Sequence, residues 1–368
     1  MLQALATLLV VHGLIHLLGF AKAFGLADLP QLTQPISPVF GGVWLSAAVL
    51  FLAAAAAVFA WPRGWWAIGA GAVMVSTPVI VAAWADAKYG MLVNVALFAA
   101  VIVGFAVQGP RSLRAEFEGD VDRALARTMP AAPITNSDLA PLPEPVRRYL
   151  QASGVVGRAR VRNVHVRMHG RIRSGPGARW LTFNAEQYNF TDPPARLFYM
   201  SSSMFLVPVN VFHRYVGPAA TMHVKAAGLV GLVDAAGEET TRSETVTLFN
   251  DMCVLAPATL IDPAIVWKPV DAEAVRARFT NAGQTIEAVL AFHHDGELAN
   301  FWSDDRFQLS ADGKTMKRVR WSTPLGAYRS FGEVRLPSGG EARWHEAGAD
   351  YAYIELTIDE VDYNVRSR

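Results

Sequence analysis

The chain has one cysteine in 368 residues, Cys253, which excludes an internal disulfide and any zinc or iron–sulfur site built on several thiolates. It has no excess of charge of either sign. The net charge of +1 gives no reason to expect nucleic acid as a partner. No G-x-S-x-G elbow, P-loop or dinucleotide fingerprint occurs, so no familiar catalytic motif is present and no cofactor is implied. Charge is scarcest in residues 1–108, which hold only Lys22, Asp28, Arg63, Asp86 and Lys88, leaving 30 basic and 30 acidic residues for the other 260. That asymmetry excludes one soluble globule, and an apolar content of 52% excludes disorder.

Four apolar stretches stand in the charge-poor part: Leu2–Phe20, Phe40–Trp61, Trp65–Trp84 and Met91–Val107. Each is close to the roughly 20 residues that cross a hydrocarbon core as helix. Trp61, Trp65, Trp66, Trp84 and Tyr89 fall at their ends, where amphipathic rings prefer the headgroup level. Ala21-Lys22-Ala23 has the form of a cleavage site, but no basic residue precedes the first stretch and two histidines interrupt it, so it reads as a span. Arg63, Arg111, Arg114, Arg123 and Arg127 lie on one side against Lys22 and Lys88 on the other. The reading is therefore a multi-pass protein of the inner (cell) membrane with both flanking ends cytoplasmic.

Polar groups inside a span cost free energy and need partners. His12 and His16 are one helical turn apart on one face. Asn94 enters the fourth stretch at the depth of His16, near Asp86 and Lys88 of the preceding loop. His12, His16, Asp86, Lys88 and Asn94 thus form a candidate intramembrane polar site, with His16 and Asn94 expected within side-chain contact range, directly or through one water. The bland alternative is that these groups bond one another and fix helix packing. Two histidines on one face cannot take opposite axial positions on a haem, and no third ligand of matching depth supports a metal.

After Gly109-Pro110, Arg111–Arg127 reads as a helix and Met129–Pro145, with five prolines, as a linker. Glu144–Ala152 places Val146, Tyr149 and Leu150 on one helical face. From Val161 the period changes to two, and roughly ten strands follow, interrupted by one helical segment, Glu238–Leu260. Asp295-Gly296 and Asp312-Gly313 signal hairpin turns, since glycine tolerates the positive φ they need. The fold expected is a four-helix transmembrane bundle (1–108), a juxtamembrane helix and Pro-rich linker (109–141), and an α+β domain (142–368). That domain is dominated by a curved antiparallel β-sheet, half-barrel-like, with a covering helix. Whether the sheet is open or closed is not decided by the pattern.

The run Leu142-Pro-Glu-Pro-Val-Arg-Arg-Tyr-Leu150 resembles the opening of a bacterial, membrane-anchored family catalogued only as a domain of unknown function. The resemblance extends through Trp180, Leu248–Leu260 with Ala256-Pro257-Ala258, Trp267, Leu336-Pro337, Gly340-Glu-Ala-Arg-Trp344 and Tyr363-Asn364, covering 142–365. It implies no activity. In shape it is reminiscent of the β half-barrels of lipoprotein carriers, a fold-level analogy only.

Candidate chemistry in this half is sparse. His165 and His169 share a strand face about 13 Å apart, too far to bind one metal, and only His213, His223 and His345 could still gather. Asp304-Asp305 reads as a solvated pair with Arg306 as its partner. Aromatics are more telling. Trp180, Tyr188, Phe198, Phe205, Trp267, Trp302 and Trp321 lie on strands or their ends and are the candidate lining of an apolar cavity between the concave face and the Glu238–Leu260 helix. Met200, Met204 and Met222 would suit an adaptable lining. The function expected is a membrane-tethered binding protein for a lipid or other apolar small molecule. The alternatives are a membrane-surface enzyme, hydrolytic or redox-linked, and a structural or regulatory protein that binds another protein. A reporter fused after Arg368 should be active only in a cytoplasmic form. Activity only outside would reverse the orientation and leave the span count intact.

Overall fold

The computed structural model describes residues 2–127, 132–310, 313, 315–346 and 348–368. Asp312 of the second turn signal lies outside them, as does the linker stretch 128–131. The chain divides into two compact units, Met1–Ala115 with Ala227–Leu229, and Glu116–Ala226 with Val230–Arg368.

The first unit contains α1 (Leu2–Ala23), α2 (Pro38–Ala60), α3 (Trp65–Ala82), the single turn α4 (Trp84–Ala87) and α5 (Gly90–Gln108). Four helices here are long and apolar enough to cross a membrane. Their mutual contact uses small residues: Ala47, Ala48, Ala54 and Ala72 are fully buried, which lets backbones approach. Lipid-length apolar side chains such as Met74, Leu92 and Val95 are exposed instead.

In the second unit α6 (Leu113–Leu125) places Phe117 and Val121 at full burial, Phe117 lying 5.7–6.1 Å from the rings of Tyr188, Tyr199 and Phe212. The stretch expected to be a loose linker is packed from residue 132 on. Ile134 and Leu139 are buried, α7 (Asn136–Leu139) carries a capping box from Thr135 and Asp138, and α8 (Glu144–Ala152) buries Val146, Tyr149 and Leu150. Apolar residues between the prolines anchor it.

Seventeen strands follow among the described residues, more than the roughly ten expected. β1 (Asn163–Ile172), β2 (Leu181–Thr191), β3 (Pro194–Met204), β4 (Val207–Val216), β5 (Ala219–Ala226) and β6 (Val230–Ala235) form one antiparallel meander. Helix α9 (Glu238–Val254) and a 3₁₀ turn (Pro257–Ile261) lead to β7 (Ile265–Pro269), β8 (Ala274–Asn281), β9 (Gln284–Phe292) and β10 (Leu298–Ser303). The remaining strands are β11 (Phe307–Leu309), β12 (Met316–Arg318), β13 (Arg320–Pro324), β14 (Tyr328–Phe331), β15 (Val334–Pro337), β16 (Gly339–Glu346) and β17 (Ala349–Tyr363). Thirteen of them make one sheet ordered β6-β5-β4-β3-β2-β1-β17-β16-β13-β10-β9-β8-β7, while β11–β12 and β14–β15 are side hairpins. The sheet is open, with β6 and β7 as its edges.

Its curvature follows from one bond. Asn281 of β8 donates to the Tyr215 hydroxyl of β4 at 2.8 Å, yet these strands are nine places apart in the sheet. In a flat sheet at about 4.8 Å per strand they would be about 43 Å apart, so the sheet curls until its flanks nearly meet. Thr245 of α9 bonds the same hydroxyl at 2.9 Å. α9 links one sheet edge to the other, and it packs against β5, β9 and β10 on the way. Phe249 has Phe279 at 5.1 Å and Phe301 at 5.8 Å between ring centroids, and Val246 and Cys253 are fully buried beside it.

Thirteen of the 17 residues of α9 are buried, among them Glu244 and Asp251, so its charges must be met inside the protein. Arg196 of β3 meets both, with Nε donating to Asp251 at 2.7 Å and Nη1 to Glu244 at 3.0 Å. Gln187 and Asn189 of β2 add donors to Asp251 at 2.7 and 3.0 Å, and His213 of β4 lies 3.0 Å from Glu244. Replacing Arg196 with Met removes the cation that two buried carboxylates share and should cost about 3–5 kcal/mol of stability. Denaturant unfolding of the purified full chain checks this, and a loss under 1 kcal/mol would contradict the account.

Candidate functional site

Three places held the chemistry that the sequence offered: the apolar helices, the hollow of the sheet and the Asp304-Asp305 loop. Within the helical unit His12 Nε2 lies 2.9 Å from Asn94 Oδ1, and His16 Nε2 lies 2.8 Å from Ser76 Oγ. Asn94 donates to Ser76 at 3.0 Å and Thr77 at 3.2 Å, and His16 Nδ1 donates to the His12 carbonyl at 2.8 Å. One hydrogen pattern satisfies this ring with both imidazoles neutral. His12 Nε2–H donates to Asn94, Asn94 to Ser76, Ser76 to the bare His16 Nε2, and His16 Nδ1–H back to the His12 carbonyl.

The partner of Asn94 is therefore His12; His16 reaches it through the Ser76 hydroxyl, where contact directly or through one water was expected. Asp86 and Lys88 do not join. Asp86 accepts from Thr33 Oγ1 at 2.7 Å and the Gln34 amide at 2.9 Å in the first connector, and Lys88 stacks on Tyr89. Ser76 and Thr77 were the missed members. Their signal was two hydroxyls beside Pro78 near the end of the third stretch, at the depth where Asn94 begins the fourth.

The expected aromatic lining does not converge. Tyr188 and Trp321 are buried in the core, and Trp267 and Phe198 pack at its margin. Trp180 is held between Arg171 and Arg173 at 4.7 and 4.5 Å, and Phe205 is 79% exposed at a hairpin tip. Beside α9, bordered by Leu248, Met252, Phe190 and Phe279, the cavity is about 50 Å³, room for one or two waters. That space is far smaller than the apolar pocket expected beside the helix.

Stretches that carry the family resemblance secure the end of that helix. Tyr149 donates to the Cys253 carbonyl at 2.7 Å and Tyr363 to the Leu255 carbonyl at 2.6 Å, satisfying acceptors that a helix C-terminus leaves open. Burial pushes both phenols up, so they stay protonated donors. Asn364, at φ 56°, accepts from the Arg162 amide at 2.7 Å and closes the chain onto the start of β1.

The Asp304-Asp305 loop borders the larger of these two spaces. A cavity of about 520 Å³ is lined by Arg242, Arg276, Arg278, Arg318 and Arg320, with Glu287, Asp304, Asp305 and Trp302. Arg276 and Arg278 alternate with the buried Val275, Ala277 and Phe279, so their guanidiniums leave β8 on the face away from the core. Asp305 is buried. It accepts from Arg242 at 2.9 Å, from Arg318, and from the Glu287 amide at 2.7 Å. Asp304 takes a two-point grip from Arg320 at 2.7 and 3.0 Å, and those hydrogen bonds hold its carboxyl below the usual range.

Arg306 was expected to pair with these acids. It turns inward instead, donating to Thr247 and to the Ser243 carbonyl and lying 4.3 Å over the ring of Trp321. Two arginines share Glu287 and two share Asp305, which leaves a surplus of positive charge at the cavity wall. No histidine lines it, and His213, His223 and His345 sit beside different acids, Glu244, Asp234 and Asp350. Among the described residues no group of three or more His, Cys, Asp or Glu could hold a metal ion.

A family model described as a family of unknown function (DUF6544) matches residues 132–356. No curated protein matches the chain. Similar solved structures include a DUF1329 family protein from Desulfovibrio piger, at 11% identity and TM-score 0.35, covering 64% of this chain and 95% of that one. A LolA superfamily protein from Nitrosomonas europaea has 8% identity and TM-score 0.34, over 63% and 94% of the two chains. A putative outer membrane lipoprotein-sorting protein domain from Vibrio parahaemolyticus has 6% and 0.32, over 55% and 85%.

Burial raises the carboxyl pKa of Glu244, but the neighbouring His213 and Arg196 outweigh it and hold the group well below the carboxylate range. A depressed folded-state pKa gives stability that is present above the unfolded value, about 4.3, and lost as pH falls below it. Acid unfolding of the E244Q variant should therefore show a flatter decline below about pH 4 than the parent chain. Identical slopes would mean that Glu244 is not ionised in the folded protein.

Proposed function

We propose that this chain, which belongs to the family of unknown function DUF6544, is a membrane-tethered binding protein that holds a lipid or similar amphiphile by its anionic group. Its four apolar helices serve as the tether and α9 as the helix that covers the hollow of the sheet. The observation that carries the reading is the arginine-lined cavity. Its volume, about 520 Å³, is in the range of small-molecule sites, whereas the space beside α9 is a tenth of that. Guanidiniums grip phosphate and carboxylate groups by paired N–H bonds, and Trp302 offers an apolar wall beside them. Both loop aspartates already neutralise arginines, so they serve as charge partners, and binding is favoured over acid–base catalysis.

The test titrates the full chain in neutral detergent with inorganic phosphate, dihexanoyl phosphatidate and zwitterionic dihexanoyl phosphatidylcholine, read by calorimetry. Phosphatidate binding more tightly than phosphate points to a lipid headgroup, and equal affinity to a free anion. Arg278 and Arg318 each share a carboxylate and are 62% and 56% exposed, so R278A and R318A should leave stability nearly unchanged. Each should weaken binding about tenfold, the loss of one charge-assisted hydrogen bond. Unchanged affinity in both variants, or no heat with either anion, would end the proposal.

A further inference from the structure

The hairpin between β3 and β4 is closed by two residues only, since Met204 pairs directly with Val207. Both loop residues, Phe205 and Leu206, have positive φ, 49° and 70°. Asn and Gly adopt such a loop at least cost, and a bulky side chain there is strained. Burial does not compensate, because Phe205 and Leu206 are 79% and 74% exposed and Met204 and Val207 flank them at 40% each. Strained backbone and exposed apolar surface coincide, so folding alone does not account for these residues.

The surroundings select the partner. β5 and β6 turn at the same end of the sheet, where Val230 is 58% and Leu232 47% exposed. Cations frame that end. Arg179 lies 5.6 Å from the Phe205 ring, and Arg171 and Arg173 stack on Trp180 where β1 passes to β2. A protruding apolar tip with an aromatic–arginine belt beside it matches the layering of a bilayer surface, acyl chains beneath phosphates. We infer that this end of the sheet seats in a lipid bilayer, with Phe205 and Leu206 among the acyl chains and Arg171, Arg173 and Arg179 at the phosphate level. The inference rests on the membrane-tether reading above, because a bilayer must be within reach.

The test uses the full chain in bilayer nanodiscs with an environment-sensitive fluorophore on an introduced cysteine, the native Cys253 being buried. The sites are L206C at the tip, V270C at the opposite end of the sheet, and V95C on the exposed face of α5. Spin-labelled lipids should quench the labels at 206 and 95 and spare that at 270. Quenching at 95 without 206 overturns this inference and leaves the tether intact, whereas an unquenched label at 95 overturns both. A label at 206 shielded from aqueous iodide yet untouched by lipid quenchers overturns it in favour of a protein partner or second copy. In a second arm, F205N/L206G should keep its fold and melt no lower than the parent, while a label at V207C loses its lipid quenching. Retained quenching there contradicts an apolar anchor.

Discussion

Arg196 sits where a polar helix enters the hollow of a curled sheet, and its two ion pairs are the contact on which the rest of the β domain depends. Two carboxylates on α9, Glu244 and Asp251, are taken out of water, and one guanidinium answers both. Without it both carboxylates would lose their shared cation, and under-compensated buried charge is among the costliest defects a core can carry. With it, α9 can run between the two sheet edges, and Phe249, Val246 and Cys253 fill the space that two meanders enclose. Tyr149 and Tyr363 then fix the far end of the helix through its carbonyls.

That arrangement displaces the site. A hollow occupied by packed helix leaves little room inside, and the larger cavity forms where Arg276 and Arg278 leave the sheet and Asp305 gathers Arg242 of α9 with Arg318.

The sequence made some of this legible. The four long apolar helices, the strands and the helical period through Val246, Phe249 and Cys253 were readable because their patterns are local. β5 and β6 were not, since Ala219, Ala220, Gly231 and Ala235 are small and carry little strand signal. Glu244 and Asp251 carry no local sign of burial, and their partners Arg196, Gln187, Asn189 and His213 come from strands that only the fold brings near. Arg306 looked like the partner of its neighbours Asp304 and Asp305, but Arg242, Arg318 and Arg320 come from elements that only the fold brings near. Asn94 met His12 and not His16 because Ser76 lies between, a placement set by helix rotation and not by depth.

Native mass spectrometry of the full chain, released from membranes under mild detergent, tests the central claim most directly. The account predicts a retained anionic amphiphile that disappears from a chain carrying R278A and R318A together. Retention of a neutral apolar molecule that survives both substitutions would contradict it and return the ligand to the hollow beneath α9.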